Sequence, residues 1–116
     1  MALKLYGLNK CSTCQKTIDW LDANKIAYSF SDVRDTPITK EQLAGWSKAL
    51  GGWEKMINRA GYTWRGLPPE KITDLTEARA VALAVANPSL IRRPLIEYND
   101  GSVTVGFSKK IQELLA

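Results

Sequence analysis

Three segments within the first thirty-odd residues restrict the fold more than any other feature of the chain. Leu3–Tyr6 is a short apolar run closed by Gly7. From Ser12 the pattern turns helical, with Cys14, Thr17, Ile18 and Leu21 at i, i+3, i+4 and i+7 and Asn24 as a stop. Ala27–Val33 then alternates Tyr28, Phe30 and Asp32 against Ser29 and Ser31, as a strand does. Strand, helix and strand at this spacing form a βαβ unit, and the crossover makes the two strands parallel. The chain is therefore read as α/β.

The middle of the sequence has another character. Thr39 followed by Gln42 is a capping box, and Leu43, Trp46, Ser47 and Leu50 mark one helical face until Gly51-Gly52 stops it. A short helix is expected over Trp53–Arg59, ending near Gly61, and a Gly- and Pro-rich loop over Thr63–Pro69. The Ala-rich stretch Thr76–Ala86 reads as a helix that Pro88 bars from continuing. Trp46, Trp53 and Trp64 are read as packing groups of this block, because no basic groove interleaves them as stacking on bases requires. Strands return at Leu95–Tyr98 and Ser102–Gly106, joined by Asn99-Asp100-Gly101 as a hairpin turn. Ser108 is placed to cap a last helix that turns Ile111, Leu114 and Leu115 inward.

Composition removes whole classes of chemistry. With 116 residues the chain has the size of one domain, and 45% apolar and 24% charged residues are globular proportions. Histidine is absent, which excludes His-based triads and His-bearing metal sites; two cysteines cannot build a Cys₄ zinc site within one chain. The net charge of +4 is spread over both halves, so it favours small anionic ligands over direct binding of nucleic acid. No segment reads as a signal peptide or a membrane span, and the expectation is a cytoplasmic monomer.

Cys11-Ser12-Thr13-Cys14 carries the chemistry, a C-x-x-C at a strand-to-helix junction. A free thiol, with a pKa of about 8.5, is only a few per cent ionised at pH 7. Unpaired amides and the dipole at a helix N-terminus stabilise the thiolate, and Lys10 and Lys16 are expected to add to that bias. Cysteines three apart in a first helical turn bring their Cα atoms near the ~4.4–6.8 Å a disulfide needs. Cys11 at the exposed start is the natural nucleophile and Cys14 on the apolar face the resolving thiol, although Cys14 alone also suits plain packing. Arg59 and Arg92-Arg93-Pro94 supply guanidinium groups suited to an oxyanion or a carboxylate. If the strand at Leu95 runs antiparallel to the first, its start lies beside the Cys11 loop.

Taken together, Cys11–Cys14, Ile57–Arg65, Asn87–Ile96 and Val105-Gly106-Phe107-Ser108 resemble the arsenate reductase (ArsC)/Spx family over essentially the whole chain. The sequence is most similar to the YffB-type branch. That resemblance implies a thioredoxin-like fold, a mixed four-stranded sheet built as βαβ … ββα, with an inserted helical subdomain. Within a single domain, 1–116, residues 1–35 and 88–116 would form the core and 36–87 the insertion. It implies a thiol–disulfide oxidoreductase that uses glutathione as co-substrate and holds no bound cofactor or metal. Cys11 would be the nucleophile and Cys14 its resolving partner; Arg59 and Arg93 would match two anion-binding arginines, and Pro94 the cis-proline of the fold. Asn9, Lys10, Arg92 and Pro94 would border the substrate. The position of a third arginine in the arsenate reductases holds Gly106 here, which leaves an oxyanion one cation short. The Spx branch implies a second role, a redox-sensing regulator that binds RNA polymerase through the C-terminal domain of its α subunit, with Gly51 matching a glycine of the contact region. The sequence runs to Ala116 without the longer charged tail typical of Spx proteins.

Overall fold

The computed structural model describes residues 3–115. Strand β1, Leu3–Gly7, is followed by helix α1, Ser12–Ala23, and strand β2, Tyr28–Asp32. β1 and β2 pair in parallel, with Leu3 opposite Tyr28 and Gly7 opposite Asp32. Strands β3, Leu95–Glu97, and β4, Val103–Val105, form the expected hairpin, turned at Gly101 with φ +88°. β3 runs antiparallel to β1, with Tyr6 opposite Leu95, so the sheet order is β2-β1-β3-β4. This is the mixed four-stranded sheet of a thioredoxin-like α/β fold.

Two compact units divide the chain: one runs to Thr36 and resumes at Arg93, the other is Pro37–Arg92. The helical unit thus extends through Arg92, beyond the 36–87 stretch read from the sequence. The reason is backbone pairing. Asn58 N donates to Leu90 O and Arg92 N to Met56 O, each at 2.8 Å, around an isolated bridge between Ile57 and Ile91.

In the sheet unit, Leu3 and Leu5 of β1, Leu21 of α1, Ile96 of β3 and Ile111 of the last helix, α7 (Lys109–Leu115), form one buried cluster. The i, i+3, i+7 spacing puts Cys14, Thr17 and Leu21 on the buried face of α1. Thr17 is tolerated there because its hydroxyl donates to Thr13 O at 2.7 Å. On α7, Ile111 is buried but Leu114 is 64% exposed, against the inward placement expected for it. Leu115, at i+4 from Ile111, is the residue that packs against the cluster, and Leu114 at i+3 faces away from it.

The helical unit contains α2 (Lys40–Leu50), α3 (Trp53–Met56), α4 (Tyr62–Arg65), α5 (Pro69–Ile72), α6 (Glu77–Ala86) and a 3₁₀ turn at Pro88–Leu90. Thr39 caps α2 as a full capping box, an arrangement worth about 1 kcal/mol. At its other end Gly51 takes φ +92°, the left-handed conformation that side chains resist. α2 packs on α3 and α6, and Ser47 of α2, fully buried, donates to the Glu77 carboxylate. Two expectations fail in this unit. The helix expected over Trp53–Arg59 ends at Met56, because the buried Ile57 adopts extended backbone to bridge Ile91. The expected Thr63–Pro69 loop contains α4 and the start of α5, whose Pro69 occupies a first-turn position where its fixed φ suits a helix.

Among the described residues, no helix is long and apolar enough to cross a membrane.

Candidate functional site around Cys11

The register of the sheet places the site. β1 and β2 end, and β3 begins, at one edge, where Gly7 faces Asp32 and Tyr6 faces Leu95. The loop from β1 to α1 and the Arg93-Pro94 entry to β3 therefore converge, as the antiparallel alternative required. The Arg93–Pro94 bond is cis.

Asp32 ties the loop down. Its side chain is only 4% exposed and accepts from Asn9 N and Arg34 N, both at 2.8 Å, while Arg34 Nε lies 3.6 Å away. The two backbone amides hold the carboxyl below its ordinary range, so it stays ionised at neutral pH. Val33 N donates to Gly7 O at 2.9 Å and Cys11 N to Leu8 O at 3.2 Å, which completes a short, braced turn. The sequence marks Asp32 only as a strand residue. The usable signal is a carboxylate at a position whose alternation calls for an inward side chain.

Cys11 is the N-cap residue of α1, half-buried, and Cys14 lies one turn on with 1% exposure. Both are free thiols, within hydrogen-bonding reach of one another. Their acidities are driven apart. Burial raises the Cys11 pKa, but the Cys14 amide and thiol, the Thr13 amide and the Arg93 guanidinium together outweigh it and leave the value lowered. Burial pushes Cys14 up to about 11, helped by the neighbouring Cys11 sulfur and opposed by the Leu8 backbone and Arg93. The cation acting on both sulfurs is Arg93, whereas Lys10 and Lys16, which the sequence suggested for that task, stand exposed on the loop and helix.

Asn9 and Lys10 lie on the braced loop, and Pro94 is buried at the start of β3. The structure thus brings Cys11, Cys14, Arg93, Pro94, Asn9 and Lys10 into the sheet unit. Arg59 and Arg92 belong to the helical unit. There the exposed Arg59 lies over the Trp53 ring at 5.6 Å, and Trp53 stacks on Trp64 at 6.4 Å. Trp53 and Trp64 thus pack against each other, in keeping with the packing role read from the sequence. Arg92 is exposed and spends its amide on Met56 O.

A C-x-x-C opening the helix after the first strand, faced by an arginine and a cis-proline at the head of the antiparallel strand, defines a thioredoxin-like thiol protein. The chain belongs to the ArsC family, which it matches over residues 6–113. It is similar to a solved structure described as the YFFB protein, with 40% identity and a TM-score of 0.92 over 99% of this chain and 100% of that one. An uncharacterised protein of Haemophilus influenzae is 30% identical over 93% of each chain. The global transcriptional regulator Spx of Streptococcus agalactiae is 27% identical over 92% of this chain and 77% of its own length. Relatives of this chain thus include a transcriptional regulator.

Proposed function

We propose that the protein is a glutathione-dependent thiol–disulfide oxidoreductase with Cys11 as nucleophile and Cys14 as resolving thiol. One observation carries this reading: two sulfurs in contact, the more accessible acidified and the buried one held protonated. The Cys11 thiolate attacks one sulfur of a substrate disulfide. A bond forms between them, the substrate S–S bond breaks, and the departing thiolate takes a proton from solvent. In the mixed disulfide Cys11 no longer carries charge, so one of the influences that raise Cys14 disappears. Cys14 then loses its proton, attacks Cys11 Sγ and expels the second substrate thiol. Two glutathione molecules reduce the resulting Cys11–Cys14 disulfide and leave as glutathione disulfide. Arg93 offers a fixed cation to the carboxylates of glutathione. The corresponding role of Arg59 rests on the resemblance alone. Gly106 in the third arginine position leaves the cation set of an arsenate cradle incomplete.

Alkylation tests the pair directly. Iodoacetamide reacts with thiolate, so the pH dependence of the rate reports acidity. Cys11 should show a midpoint below the ~8.5 of a free thiol, and Cys14, whose pKa burial raises, should react far more slowly at every pH where Cys11 reacts. A Cys11 midpoint at or above that of free cysteine removes the basis of the proposal.

A second reading draws on the Spx relative. The same pair would act as a redox sensor in a regulator that contacts RNA polymerase, at the C-terminal domain of its α subunit. Binding of that purified domain, measured in reducing and in oxidising buffer, should then differ between the two. No binding in either buffer eliminates this role.

A further inference from the structure

Gly7 is the last residue of β1, and its backbone does not require glycine, since its φ is not positive. What requires glycine is the neighbour above it. A Cβ at this position would lie 2.5 Å from Cys14 Sγ, whereas the next atoms, Phe30 Cε2 at 3.4 Å and Cys14 Cβ at 3.7 Å, stand at ordinary contact distance. The space that alanine would fill is occupied by one sulfur. We propose that Gly7 is a positioning residue that seats the reduced Cys14 thiol and thereby sets the balance between the dithiol and the Cys11–Cys14 disulfide. This inference rests on the reading of the two cysteines as a redox pair.

The physical argument is local. Both cysteines are free in this structure, so the clash belongs to the dithiol form. The sulfur cannot yield easily, because Cys14 is 1% exposed on a helix held to the sheet. Gly7→Ala therefore raises the free energy of the state in which Cys14 Sγ lies over β1. The shift in balance requires that disulfide formation draw that sulfur off β1 toward Cys11: the two thiols lose two electrons and two protons, and glutathione disulfide takes them up to become two glutathione molecules.

Two measurements test the proposal. In urea unfolding under reducing conditions, Gly7→Ala should lower the folding equilibrium constant by about tenfold, a coupling normal for groups in contact. In a Cys14→Ala background, where no sulfur remains, the same change should cost nothing, because alanine is at least as good a strand residue as glycine. In a glutathione redox buffer, Gly7→Ala should shift the pair toward the disulfide by about the same tenfold. Equal destabilisation in both backgrounds, or a redox balance that is unmoved or shifted toward the dithiol, overturns the proposal. The unfolding comparison is independent of turnover. If Cys11 proved unreactive while the coupling held, the oxidoreductase reading would fall and the seating of Cys14 by Gly7 would stand.

Discussion

Cys11→Ser is expected to reduce thiol–disulfide exchange to background, a loss of about a thousandfold or more. Only an ionised group attacks the substrate sulfur at a useful rate. The same amides and guanidinium that acidify a thiol leave a serine hydroxyl, a far weaker acid, un-ionised at neutral pH. Folding should survive, because Cys11 is half-buried and sits at the helix cap outside the apolar cluster, and serine is itself a favourable N-cap residue. Circular dichroism and the urea midpoint therefore serve as controls, and reduction of a glutathione mixed disulfide serves as the readout. Cys14→Ser should behave differently, since glutathione can resolve the adduct from solution; the mixed disulfide on Cys11 should accumulate and be visible by mass spectrometry. Full turnover by Cys11→Ser would show that the nucleophile lies elsewhere.

Much of the sheet unit is legible in the sequence because its signals are local. The βαβ start shows in the change of apolar period from two to near four and back, and the hairpin shows in Asn99-Asp100-Gly101. Thr39 and Gly51 mark both ends of α2 for the same reason: each acts on backbone groups a few residues away. The errors fall where distant residues decide. Ile57 reads as a helix residue, yet its bridge to Ile91, thirty-four positions along, draws it into extended backbone. α4 and α5 are single turns amid glycine and proline, too short for periodicity to register. Leu114 and Leu115 both have core spacing from Ile111, and only Leu115 packs against the cluster, a choice that spacing along the chain does not decide.

The candidate site divides in the same way. Cys11 and Cys14 are found from spacing and the strand-to-helix context alone, and Arg93 from its place before a strand. Which cation acts on the thiols is not legible. Lys10 is adjacent in sequence, but Arg93, eighty residues away, arrives through the antiparallel pairing of β3 with β1. Asp32 and Gly7 lie deeper still. One braces the loop through the Asn9 amide, and the other matters for an atom it lacks. Asp32 shows along the chain only as a carboxylate where alternation calls for an inward side chain, and Gly7 leaves no residue pattern at all.

Leu21→Ala should give the largest loss of stability among single changes in the sheet unit that leave the thiols untouched. Leu21 is fully buried and is the α1 member of the cluster formed with Leu3, Leu5, Ile96 and Ile111, which come from two strands and α7. Truncation forfeits the transfer energy of the lost carbons and leaves a void that a sheet and two helices cannot collapse, about 2–5 kcal/mol in such sites. Domains of this size are stable by only about 5–15 kcal/mol, so the urea midpoint should fall steeply while the slope of the transition is retained. The thiols then separate packing from chemistry. Cys11 owes its acidity to the first turn of α1 and to Arg93, both remote from Leu21 along the helix, so its alkylation rate in the native fraction should be unchanged. Cys14 is protected by burial on the same face as Leu21, and its alkylation should rise with the population of opened molecules. A cost below about 1 kcal/mol, far under the usual range for such truncations, would mean that α1 is held to the sheet by something other than this cluster.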